Sequence, residues 1–127
     1  MRDQRQHRRY PVRWPVAIIF NHSQGEDIFH GHTHDLSISG ASILTEHNVF
    51  TADPVTLLIS IPPLHPALKR TLIEVKARMM YNVLSPKHQC FRIGLSFQSF
   101  KNDGSYMLAQ SFEQRFLNDS GSQTLIR

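Results

Sequence analysis

Two segments in the second half of the chain alternate with a period of two, and this pattern constrains the fold more than any other feature. Ile73, Val75, Ala77 and Met79 fall on one side of an extended backbone, with Glu74, Lys76 and Arg78 on the other. Phe91, Ile93, Leu95 and Phe97 alternate in the same way with Arg92, Gly94, Ser96 and Gln98. Each segment is therefore a strand with one face for a core and one for water. Shorter apolar runs at Val16 to Phe20, Ile28 to Leu36, Ala41 to Leu44 and Val55 to Ile61 add strands, the last stopping at Pro62-Pro63. Turn-rich connections such as Asn21 to Glu26 and Ser85 to Gln89 join them. Short strands so connected predict an antiparallel barrel or sandwich.

A helix is expected at the end. Asn102-Asp103-Gly104-Ser105 reads as its start, and Leu108, Phe112 and Phe116 at i, i+4 and i+8 form an apolar stripe to pack on the sheet. From Asn118 to Arg127 periodicity is lost, and a mobile tail is expected. At 127 residues the chain holds one domain with room for a core that needs no disulfide or metal. Its single cysteine, Cys90, cannot form an internal disulfide and reads as ordinary strand packing, which points to a reducing cytoplasm. The first fifteen residues lack an apolar signal core, and no apolar run is long enough to span a bilayer.

Net charge is +4, and its positive part is concentrated at the front, where Arg2, Arg5, Arg8, Arg9 and Arg13 face only Asp3. Such a cluster favours anionic partners without choosing among nucleotide, nucleic acid and acidic lipid. Within it, Arg5-x-x-x-Arg9 offers planar guanidinium forks that match phosphate oxygens and the acceptor edge of guanine. Further on, Asp35-Leu36-Ser37-Ile38-Ser39-Gly40 offers a carboxylate, a hydroxyl and a glycine. Asp35 and Ser37, two apart, share a side of an extended backbone, and the carboxylate can accept from guanine N1–H and N2–H2. Gly40 supplies either a positive-φ turn or clearance for a ligand. The competing reading makes Asp35 and Ser37 a local turn that satisfies its own backbone.

The two clusters, in this order and spacing, resemble the PilZ domain family, whose signature is RxxxR followed about twenty to thirty residues later by D/N-x-S-x-x-G. The run Tyr10-Pro11-Val12-Arg13-Trp14-Pro15-Val16 is similar to the family's approach to its first strand, and the resemblance extends from about Gln4 to Phe116. Arg9 and Arg13 also satisfy RxxxR, but the family places its second arginine just ahead of the first strand, which selects Arg5 and Arg9. The resemblance implies a mainly β fold, a six-stranded antiparallel barrel with a C-terminal α-helix. Residues 1–118 would form one domain, with a flexible arm at 1–12, the barrel at 13–100, the helix at 102–118 and the tail at 119–127. It also implies cyclic di-GMP as ligand, held by Arg5, Arg9, Asp35, Ser37 and Gly40 with Arg8 as a secondary contact, and no other cofactor. Gln4 stands where relatives often carry arginine, which leaves open whether one ligand or a stacked pair binds.

The expected function is a cytoplasmic receptor that orders its arm on the ligand and signals to a protein effector, in relatives for motility, biofilm or polysaccharide control. A ligand-independent adaptor and a single-stranded nucleic-acid binder are the alternatives; sparse exposed aromatics weigh against the second. His30, His32 and His34 alternate along one strand but are spaced too evenly to close a tetrahedron, so a solvent-facing stripe is expected and no metal site. Tyr10 and Trp14 read as barrel anchors. With no nucleophile elbow, zinc-protease or phosphate-loop motif, the chain reads as a non-enzyme.

Overall fold

The computed structural model describes residues 7–117. Six strands, β1 (Pro15–His22), β2 (Gly25–Leu36), β3 (Gly40–Thr45), β4 (Val55–Ile61), β5 (Thr71–Ser85) and β6 (Cys90–Phe100), precede the helix α1 (Gly104–Phe112), which widens into a π-helical turn at Glu113–Leu117. The strands close a barrel in the order β1-β2-β3-β6-β5-β4, every pair antiparallel. Closure removes the free sheet edges that would otherwise invite pairing with another chain.

The alternation reads directly onto the wall. Ile73, Val75, Ala77 and Met79 point inward with Val16, Ile18, Leu57, Ile59, Ile93 and Leu95, all nearly inaccessible. Thr33 is the polar member of this interior: its hydroxyl donates to Val12 O and accepts from Trp14 N at 2.9 Å. Those bonds satisfy the hydroxyl and tie residues 12–14 to β2.

Three register shifts interrupt the ladders, one between Lys76 and Ala77 and two beside the end of the arm. In β2, Thr33 pairs with Ile43 and Asp35 with Ser42, leaving His34 as an extra residue. In β5, Met79 pairs with Leu95 and Tyr81 with Gly94, leaving Met80 extra. A bulge lets two successive side chains face the same way. His34 and Asp35 thus both sit outside between the buried Thr33 and Leu36, and Met80 and Tyr81 are both exposed after the buried Met79.

The helix seals the end of the barrel beside the arm. Leu108 and Phe112 are buried and Phe116 packs on the core, as the stripe predicts. Tyr10 stacks on Phe112 and Phe116 at centroid distances of 4.3 and 4.6 Å, and Trp14 lies 6.1 Å from Phe112. Arg115 locks the turn beyond the helix, donating to Pro62 O and to Ser111 Oγ while its guanidinium lies 5.3 Å from the Trp14 ring centroid. Among the described residues, no helix is long and apolar enough to cross a membrane.

Candidate ligand site

The end of the arm is fixed by its backbone. Tyr10 N donates to Leu36 O at 2.8 Å and Leu36 N to Tyr10 O at 2.9 Å, a bridge that lays residue 10 alongside the end of β2. One residue earlier, Arg9 Nη1 donates to Asp35 Oδ1 at 2.5 Å, with both side chains about a quarter exposed (23% and 25%). The basic arm and the Asp35 cluster, twenty-six positions apart, therefore meet. An ion pair this accessible contributes about 0 to 1 kcal/mol, so a ligand can exchange with it at little cost. Among the described residues, Arg9 Nε is buried without a hydrogen-bond partner, an unsatisfied donor at the same place.

Ser37 and Gly40 shape the turn. Strand β2 ends at Leu36, so alternation does not carry past it, and Ser37 turns away from the face of Asp35 to become 1% exposed. Its hydroxyl accepts from Ser39 N and Gly40 N at 3.1 Å each, while Ser37 N donates to Gly40 O at 2.9 Å. The expected shared side is thus replaced by a serine turn that satisfies its own backbone. Gly40 has no positive φ. Its need for glycine is clearance: a Cβ there would lie 2.6 Å from Leu95 O and 3.6 Å from Arg9 Nη2. The turn can therefore press against β6 and under the arginine at once.

Arg8 is exposed, its guanidinium 5.3 Å from the Tyr10 ring centroid. Arg5 lies outside the described residues, as do Gln4 and the tail at 119–127. Arg13 is an exposed residue whose Nη1 donates to His34 O at 2.6 Å.

The wall beyond Asp35 was not foreseen. The bulges align Asp35, Ser42, Gly94 and Tyr81 in one cross-strand row. The Tyr81 ring lies over Gly94, where any Cβ would collide with it, and its hydroxyl is 3.1 Å from Ser42 Oγ. A cleft of about 240 Å³ lies here, lined by Arg9, Ser39, Met80, Tyr81, Gly94, Leu95 and Ser96. One sequence signal pointed to it: a glycine inside an alternating strand marks a close approach by another group.

His30 and His32 are exposed and His34 is half-buried. Among the described residues, no three His, Cys, Asp or Glu side chains are grouped to hold a metal ion. Cys90 is a half-buried free thiol.

A cation and a carboxylate, joined across the arm at the end of β2 beside a glycine-floored turn, are the elements of the RxxxR and D-x-S-x-x-G signature, and the PilZ domain model matches residues 3–113. The chain belongs to the PilZ domain family. No curated protein matches it. Among solved structures, the Bacillus subtilis inhibitor of motility MotI/DgrA is similar with a TM-score of 0.72 at 19% identity, over 91% of this chain and 53% of that one. The chain thus spans about half the length of that neighbour. The PilZ domain of Escherichia coli YcgR, solved with c-di-GMP, gives 0.64 at 11% identity over 98% of this chain and 99% of that one. The Klebsiella pneumoniae MrkH–c-di-GMP complex gives 0.62 at 12% identity, over 94% and 56%. At such identities the likeness shows the fold, a PilZ barrel with its helix.

Proposed function

We propose that this PilZ domain is a non-catalytic receptor for cyclic di-GMP, bound outside the barrel where Arg9 meets Asp35. The observation that carries the reading is that ion pair, because it joins the two motif halves around an unsatisfied arginine donor beside an open cleft. Two phosphodiesters need counter-charge that persists at any physiological pH, and arginine supplies it in a bidentate form. In this reading Arg9 turns part of its fork from Asp35 to a phosphate or to guanine O6 and N7. Arg5 and Arg8 close over the ligand from the arm, and Asp35, released in part, accepts from the guanine N1–H edge. Ser37 and Gly40 hold the turn in shape and let the ligand approach its backbone. YcgR and MrkH, solved with the dinucleotide, support the choice of ligand.

Ordering the arm would change the surface offered to a protein effector in the cytoplasm, a disorder-to-order switch of the kind that regulates motility, biofilm or polysaccharide output. Titration calorimetry tests the reading: wild type releases or absorbs heat with cyclic di-GMP, and Arg5→Ala and Arg9→Ala each weaken binding at least about tenfold, as loss of a charge-assisted contact requires. Absence of heat with wild type, or full affinity in both variants, overturns it. Cyclic di-AMP and a short oligonucleotide at two salt concentrations serve as controls, since a nucleic-acid binder would lose affinity steeply with salt.

A further inference from the structure

The bulge that turns Asp35 outward also places His34 beside it, and His34 is not alone. Its ring meets that of His88, from the β5–β6 turn, edge to face at a centroid distance of 5.3 Å. His34 Nδ1 is buried without a hydrogen bond and lies 3.6 Å from Asp35 Oδ2, the carboxylate oxygen that Arg9 does not use. His88 Nδ1 is 2.9 Å from Ser85 Oγ, which fixes the ring and leaves Nε2 for another partner. Around this pair the charges are nearly all positive: Arg13 from the approach to β1, which bonds His34 O, Lys87 within the turn, and Arg92 from β6, whose Nε is also buried without a partner among the described residues. The acids are Asp35, already paired with Arg9, and Glu46, exposed in the groove that His88 shares with His30, His32 and Cys90. Three cations thus gather around two imidazoles, with Arg92 Nε and His34 Nδ1 unpartnered among the described residues.

We propose that His34 and His88, with Arg13 and Arg92, form a proton-gated oxyanion subsite next to the Arg9–Asp35 pair, which takes a phosphate-type group when the rings are charged. The inference rests on the receptor reading for its natural ligand and deepens it, by making dinucleotide affinity depend on protons. In the free protein, partial burial and then the charges of His34, Lys87, Arg13 and Arg92 hold the His88 imidazole below its ordinary value. An entering oxyanion cancels that field, and the rings take up protons with it. A charged His34 also claims Asp35 Oδ2, which frees the Arg9 fork to turn toward the ligand. Binding and protonation therefore favour each other.

The test is calorimetry of the full chain with cyclic di-GMP at pH 7.5 and 5.8, each in two buffers of different ionisation heat. Wild type should bind about three- to tenfold more tightly at the lower pH and take up protons on binding. In His34→Gln/His88→Gln that affinity ratio should fall toward one. Binding with no pH dependence and no proton uptake, or an equal dependence in the double variant, overturns the subsite alone. No binding by wild type at either pH overturns the receptor reading, and the subsite then stands or falls on the response of its rings to inorganic phosphate. The source of the oxyanion is read from the His34 and His88 ring resonances at pH 6. Shifts with inorganic phosphate assign the subsite to free phosphate, and shifts with the dinucleotide alone assign it to the phosphodiester; resonances unmoved by both overturn it.

Discussion

Arg9 and Tyr10 are neighbours in sequence, yet they attach the arm to the barrel by opposite physics. Arg9 makes a partly exposed ion pair with Asp35, flanked by a donor unsatisfied among the described residues and by an open cleft. Tyr10 is 8% exposed, bridged to Leu36 by two backbone bonds and stacked between the arm and the helix on Phe112 and Phe116. The first contact is cheap to exchange and the second is not. The boundary between permanent structure and exchangeable surface thus falls within a single peptide unit, and a ligand can recruit Arg9 without prising the arm away from the core.

The contrast can be broken most directly in the aromatic seam. Phe112→Ala should cost about 3 to 5 kcal/mol in denaturant unfolding, the ordinary range for a buried phenylalanine. Asp35→Ala, by the accessibility of its pair, should cost less than about 1 kcal/mol. Equal losses in the two variants would erase the division.

A middle case sharpens it. Gly40→Ala drives a Cβ toward Leu95 O at 2.6 Å, so β3 and β6 must part locally, and thermal unfolding should report a loss of about 1 to 3 kcal/mol, typical of overpacking. Such a loss would show that the turn beneath the exchangeable pair is itself rigid, and an unchanged melting temperature would show that it yields.

The smallest effect is a pH dependence. Since His88 holds its proton less well when folded, the unfolded chain binds more protons just below the ordinary value of 6.5, and stability rises with pH through that window. Acidification from pH 7.5 to 5.5 should therefore lower the melting temperature of wild type slightly more than that of His88→Gln. The reverse order would mean that the ring gains a partner on folding.

Most of the barrel was legible because alternation is a strong and local signal. It carried β5 correctly as far as Met79 and lost it at Met80, where the extra residue puts Met80 and Tyr81 on the same side, although pairing runs on to Ser85. The helix was legible from Leu108, Phe112 and Phe116, but the π-helical widening at Glu113–Leu117 was not, since no apolar spacing announces it. At the site, Arg9 and Asp35 could be read as two halves of one motif in a known order, though not as an ion pair. Ser42, Tyr81 and His88 could not, because their placement depends on the register of three strands and a turn, and register is settled by long-range packing. Ser37 shows the local side of the same limit. Its hydroxyl takes the turn role that the local reading offered, accepting from Ser39 N and Gly40 N where β2 ends at Leu36.

The surplus residue at His34 has a meaning for how such a barrel tolerates change. Losing one amino acid from a strand with one buried face is commonly a severe injury, because every later side chain changes sides. Here, excising residue 34 would instead leave Thr33 against Ile43 and Asp35 against Ser42 in unbroken rhythm, with the carboxylate still outside and Leu36 still filling the interior. A single codon thus adds an imidazole beside the carboxylate without disturbing the interior on either side of it.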